Sequence, residues 1–215
     1  MKPGFFITLE GGEGAGKTTQ ARKLKESLEA DGREVILTRE PGGVPEAEKI
    51  RDLLVQREGG NWTPMAECLL FFAARQMHVE TLIKPAIIAG KIVICDRFTD
   101  STRAYQGYGH GFSLEAIEGI KNIALPGFEP DFTFIFDLPV EAGLQRSFAQ
   151  KEKSQGREAT EDRFEKLDRA FHEKLRLGFL EIARQNPQRC HVIDATRTPD
   201  EISAAVLAVL RKVGS

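Results

Sequence analysis

Three features of this 215-residue chain predict an α/β fold, with five parallel strands in one sheet and helices on both faces. Short apolar runs alternate with helical patterns from one end to the other. Runs such as "KIVICD" are apolar nearly throughout, the pattern of parallel strands buried on both faces. Between the first apolar run and the first helical stretch lies "GGEGAGKTT", a glycine loop opening directly into a helix. In such sheets ligands collect beyond the carboxyl ends of the strands, so the residues that follow each strand are the ones to inspect for function.

The elements follow in order. "FFITLE" (5–10) is a strand, then come the glycine loop and a helix over 17–30. "EVILT" (34–38) is the second strand. Helical patterns cover 45–57 and 64–89, the latter with Pro64 in its first turn and Gly90 at its end. "KIVICD" (91–96) is the third strand, and helical segments near 99–106 and 113–123 lead to the fourth, "DFTFIFDL" (131–138). A helix from about 140 runs into "QKEKSQGREATED", which is polar and has no apolar period. The stretch 150–161 is therefore expected to be a mobile insertion over the carboxyl edge of the sheet. A long helix near 162–185, the strand "CHVIDA" (190–195) and a helix over 199–212 started by Thr198 and Pro199 complete the chain. With no repeat and no low-complexity linker, residues 1–215 read as a single domain.

The bulk properties exclude several classes. A net charge of -2 gives no general attraction to nucleic acid or to an acidic membrane, so any anion site must be local. No apolar run approaches the roughly 20 residues of a membrane helix, and "MKPGFFITLE" enters a strand without the form of a signal peptide. Cys68, Cys95 and Cys190 are odd in number and far apart, with no C-x-x-C pair. They are expected to be buried thiols in a reducing cytoplasm rather than a metal site or a disulfide frame.

Gly11-x-x-x-x-Gly16-Lys17-Thr18 fits the phosphate-binding pattern G-x-x-x-x-G-K-[ST], and its strand-to-helix setting is the one that chemistry needs. Across Gly11, Gly12, Glu13, Gly14, Ala15 and Gly16, small side chains let backbone N–H groups approach phosphate oxygens. The helix opening at Lys17, Thr18 and Thr19 adds the positive end of its dipole. Lys17 reaches the β and γ phosphates, and the Thr18 hydroxyl suits the magnesium that bridges them. A guanine-reading N-K-x-D motif is missing, which argues against a GTPase.

A small kinase needs a second anion site facing the first. "TREPGG" puts Arg39 at the carboxyl end of the second strand, and "CDRFTDSTRAYQG" puts Asp96 and Arg97 at the end of the third. "LLFFAAR" places Phe71 and Arg75 four apart on one helical face. Guanidinium groups suit phosphate and the oxygen edges of a base, and a phenyl ring suits stacking on one.

The set "EGGEGAGKTT", "TREPGG", "LLFFAAR" and "DRFTDSTRAYQG" resembles the bacterial thymidylate kinase family, among the P-loop nucleoside monophosphate kinases. "DLPVEAGLQR", "EDRFE" and "VIDAT" follow in family order, so the likeness spans about 5–200. It implies a P-loop NTPase fold with a short mobile lid, transfer of the γ-phosphoryl group of ATP to dTMP with Mg2+, and a homodimer. Another nucleoside monophosphate as acceptor is the alternative. Carried over by resemblance, Arg39 and Arg97 grip the dTMP phosphate and Phe71 stacks on thymine. Arg75 hydrogen-bonds the base, Ser101 and Gln106 sit near its polar edge, and Tyr105 packs under the deoxyribose. Glu13 lies by the 3′-hydroxyl of the acceptor sugar. Asp96 organises magnesium beside Thr18, with Glu165 near the metal or the lid. Arg146 covers the adenine. Because Gly14, not arginine, follows Glu13, the transferring cation is expected from the lid, with Arg157 preferred over Lys153 and Arg163.

Overall fold

The computed structural model describes residues 3–55, 61–151 and 167–213. Five strands, β1 (Phe5–Glu10), β2 (Val35–Arg39), β3 (Ile92–Asp96), β4 (Phe132–Asp137) and β5 (Cys190–Asp194), form one parallel sheet in the order β2-β3-β1-β4-β5. The sequence thus placed each strand within about one residue. All five strands point the same way, so Glu10, Arg39, Asp96, Asp137 and Asp194 close them along a single edge. That edge carries the chemistry.

Period-two alternation assigns each strand residue to a layer. Ile7 and Leu9 of β1 face a core shared with Leu24 of α1 (Lys17–Ala30) and with Ile202 and Val206 of α9 (Pro199–Val213). Phe6 of β1, with Val93 and Cys95 of β3, faces the opposite core. There it meets Cys68 and Phe72 of α3 (Pro64–His78) and, further along the chain, Ile117 of α6 (Leu114–Ala124). A third cluster joins Tyr105 and Ile135 to Leu175 and Phe179 of α8 (Arg169–Gln185).

Three expectations are corrected. The helix expected over 64–89 is not continuous: α3 passes through a π-helical turn, Val79–Ile83, into α4 (Lys84–Ile88). Pro85 explains this, because it has no N–H to donate and its ring crowds the carbonyl four residues back. The segment expected over 99–106 is a short helix α5 (Thr99–Thr102) followed by a π-helical run, Arg103–Gly109, in which His110 N bonds Tyr105 O at 2.9 Å. Finally, α2 (Pro45–Val55) ends earlier than the expected 57. Helix α7 (Val140–Lys151) starts as expected at Val140, and most of the insertion that follows lies outside the described residues. So do Lys153, Arg157, Arg163 and Glu165, and the first residues of the helix expected from 162. Among the described residues, no helix is long and apolar enough to cross a membrane, and Cys68, Cys95 and Cys190 are free and buried.

Candidate active site

The glycine loop joins β1 to α1 and is held from behind by α7. Gly14 has φ at 66°, and any side chain there would collide with Gly143 O of α7. Gly143 in turn has no room for one, since its Cβ would lie 2.5 Å from Glu13 O. The loop therefore rests backbone to backbone on a helix 130 residues away in sequence, and glycine is required on both sides.

Two cations converge on this loop. Lys17 Nζ donates to Gly11 O at 3.1 Å and to Gly12 O at 2.8 Å. Arg97 Nη1 donates to the same Gly11 O at 3.1 Å, and its Nη2 donates to Glu13 Oε1 at 2.8 Å. Tyr105 Oη donates to that same carboxylate oxygen at 2.5 Å, and the Arg97 guanidinium lies 5.1 Å from the centre of the Tyr105 ring. Ser101 Oγ accepts from Arg97 Nη1 at 3.3 Å. Burial pushes the Glu13 carboxyl up, but Arg97, Lys17 and the Tyr105 hydroxyl outweigh it and hold it down at about 2. Burial, and then Arg97, pull the Lys17 ammonium down. Tyr105 is pushed well up by its burial, while Arg97 opposes that and Glu13 adds to it.

Beside the loop, Thr18 Oγ1 donates to Asp96 Oδ2 at 2.9 Å. An exposed hydroxyl and a carboxylate at the tip of β3 make an all-oxygen pair, the donor type that magnesium takes. Arg39, at the tip of β2 and paired in register with Asp96, is half exposed and ion-paired to Glu48 at 3.3 Å. On the other side of the loop, Arg146 Nη1 of α7 donates to Ala195 O beyond β5 at 3.1 Å. Thr19 is exposed at the start of α1, and Ala15 is buried inside the loop.

The remaining expected residues form a second layer. Arg75 is buried, and it donates to Glu40 Oε2 at 2.5 Å, to Thr102 Oγ1 at 3.1 Å and to Phe98 O at 3.1 Å. Its guanidinium lies 4.8 Å from the centre of Phe72 and 5.3 Å from that of Phe98, so its aromatic neighbours are these rings, while Phe71 is half-buried. Gln106 is buried too, its Nε2 donating to Glu67 Oε2 at 2.7 Å.

Four buried carboxylate or imidazole groups that support the site were not singled out from the sequence: Glu10, Glu40, Glu67 and His78. The signal for Glu10 was its place as a charged residue closing an apolar strand run. Glu67 and His78 sat inside an amphipathic pattern where nothing distinguished them. Glu40, His78 and Cys95 lie close enough together to suggest a metal site. Glu40, however, spends its oxygens on the Arg75 guanidinium and on His78 Nδ1 at 3.0 Å, and Thr38 Oγ1 bonds His78 Nε2 at 2.8 Å. Burial, and then the acids around it, push the Cys95 thiol well up, away from the thiolate a metal needs. The group is a hydrogen-bonded brace for Arg75.

The chain matches known proteins along nearly its whole length. The family model for thymidylate kinase matches residues 9–206. A thymidylate kinase of Caulobacter vibrioides is 50% identical over 98% of this chain and 97% of its own. One from Dinoroseobacter shibae is 48% identical over 97% of both chains. The crystal structure of thymidylate kinase from Ehrlichia chaffeensis superposes with a TM-score of 0.75 at 36% identity, covering 97% of this chain and 99% of that one.

Proposed function

We infer that this chain, which belongs to the thymidylate kinase family, transfers the γ-phosphoryl group of ATP to dTMP, giving dTDP and ADP, between Lys17 on the phosphate loop and Arg97 at the tip of β3. One observation carries this: Lys17 and Arg97, two cations from different elements, meet at the single carbonyl of Gly11. Glu13 answers part of that charge, and the remainder suits two phosphate groups brought together, as a phosphoryl transfer requires.

The chemistry needs positioning more than proton transfer. The dTMP phosphate is largely dianionic at neutral pH, because its second pKa is about 6, so no general base is required. One of its oxygens forms the new bond to the γ phosphorus as the bond from that phosphorus to the β,γ-bridging oxygen breaks, and ADP leaves with the electron pair. Lys17 and the loop N–H groups hold the donor phosphates, and Arg97 with Arg39 holds the acceptor. Thr18 and Asp96 supply the oxygens for Mg2+, which neutralises phosphate charge when bound. Glu13, already accepting from Arg97 and Tyr105, is placed to accept from the acceptor's 3′-hydroxyl. Tyr105 packs where a ribose 2′-hydroxyl would sit. Phe71, Arg75, Ser101 and Gln106 face the base, and Arg146 covers the adenine. The family likeness assigns Arg157 as the lid's transferring cation and Glu165 to the surroundings of the metal or the lid. We read residues 1–215 as one domain acting as a homodimer in the cytoplasm. Exposed apolar side chains on α3 and α6 support the dimer, and free buried thiols fit the reducing compartment.

The reading is tested by following ADP formation with ATP, magnesium and a panel of nucleoside monophosphates. Turnover on dTMP at least about tenfold above every other acceptor supports it. Faster turnover on a different monophosphate, or none on dTMP, overturns it.

A further inference from the structure

Glu10 closes β1 on the same face as Phe6 and Thr8, and it is fully buried. Its oxygens take two hydrogen bonds: Oε1 accepts from Phe98 N at 2.7 Å, and Oε2 accepts from Ser101 Oγ at 2.6 Å. Among the described residues no cation forms an ion pair with it. A buried carboxylate in that state is costly to keep. Burial, and then the neighbouring Asp100, push its carboxyl up to about 7, while the bonds from Ser101 and Phe98 and the charge of Arg97 pull the other way.

The cost coincides with a strained backbone. Arg97 has φ at 71°, alone among the described non-glycine residues in being positive, a conformation that its Cβ disfavours. The turn that contains it is fastened at three points by two consecutive residues of β1. Arg97 N donates to Leu9 O at 3.0 Å, and Phe98 N and Ser101 Oγ donate to Glu10. Ser101 Oγ then accepts from the Arg97 guanidinium itself.

We propose that Glu10 is the positioning residue of the acceptor arginine: its carboxylate clamps the left-handed turn at Arg97 from within the sheet and, through Ser101 Oγ, sets where the guanidinium points. The proposal rests on the reading of Arg97 as a ligand of the dTMP phosphate. An ionised carboxylate only accepts hydrogen bonds. Ser101 must therefore give its proton to Glu10 and keep a lone pair for Arg97. An amide of the same shape would turn an N–H toward one of these two donors.

The test is a double-mutant cycle of Glu10→Gln with Arg97→Ala, assayed at pH 8. Glu10→Gln alone should raise KM for dTMP by about tenfold, with a smaller change in kcat and with the Kd for ATP held within about twofold. In the Arg97→Ala background the same change should cost nothing further, because the residue it positions is gone. An unchanged KM for Glu10→Gln, or an equal loss in both backgrounds, overturns the clamp and leaves the site reading standing. An Arg97→Ala protein with normal KM overturns the site reading, and the clamp with it. If Glu10→Gln shows no cooperative thermal transition, Glu10→Asp, which keeps the charge and withdraws it by one methylene from Phe98 N and Ser101 Oγ, goes through the same cycle under the same criteria.

Discussion

On the proposed reading of Arg97 as a ligand of the dTMP phosphate, one side chain is spent on function at the expense of local stability. Its left-handed backbone costs on the order of 1–3 kcal/mol, and its guanidinium pairs with Glu13 and caps Gly11 O on the phosphate loop. Arg97→Ala should lower kcat/KM for dTMP by roughly 10²–10³, while the calorimetric Kd for ATP stays within about twofold. A loss of ATP affinity as large as that of Lys17→Ala would assign Arg97 to the donor side instead. Glu13 supplies a pH prediction. Its carboxyl is held at about 2, below the ordinary 4.5, so the folded state binds fewer protons than the unfolded one between those values. That stabilisation is complete above about pH 4.5 and is lost as pH falls toward 2. Unfolding free energies from denaturant titrations between pH 6 and 2 should therefore fall more steeply for the parent protein than for Glu13→Gln, by roughly 2–3 kcal/mol in total. Parallel curves would show that the Glu13–Arg97 pair does not act in the free protein. Arg97, Asp96 and Lys17 were all legible in the sequence, because strand ends and a spaced motif mark them. Glu10 and Glu40 were harder to read, since a buried acid matters through what it touches, and its partners Phe98, Ser101 and Arg75 arrive from other elements.

Between elements, the contact that matters most joins the phosphate loop to α7. A glycine inside a helix ordinarily gains about 1 kcal/mol when replaced by alanine. At Gly143 the new Cβ would instead sit 2.5 Å from Glu13 O, a backbone atom with nowhere to go. The clash exceeds the helical gain, so Gly143→Ala should lower the melting temperature and weaken ATP binding by about tenfold, since the loop must shift to admit the methyl group. A more stable protein with unchanged ATP affinity would show that the loop is not braced there. The strands and the first helix follow from apolar period and glycine placement, which are local properties. The π-helical turns at Val79–Ile83 and Arg103–Gly109 are not, and the second changes which way Tyr105 and Gln106 project. Pro85 is the sequence signal that could have found the first.

At the scale of the whole molecule, the parallel direction of the five strands gathers their tips along one edge. The opposite concern is what the outer faces meet. Met65 and Leu69, four apart on α3, are 43% and 50% exposed, and Ile123 on the neighbouring α6 is 85% exposed. These side chains are where the proposed dimer would bury apolar surface. Light scattering on the eluted protein should give twice 23.9 kDa, and Leu69→Glu should reduce it to a single chain without removing the folded transition. A single-chain mass for the parent protein would end the dimer reading.

The sequence by itself determined the five strands, the phosphate loop and the family, because alternation, motif spacing and residue order are written along the chain. It also named Arg97 and Glu13, which the fold joins at 2.8 Å. Only the tertiary structure decided that Lys17 and Arg97 meet at one carbonyl, that Arg75 is braced by Glu40 and His78, and that Glu10 holds the turn beneath Arg97. The physical reason is separation. The hydrogen bonds of Glu40 and Glu10 join residues 35 to 91 positions apart, and no local pattern of hydrophobicity carries information over that range.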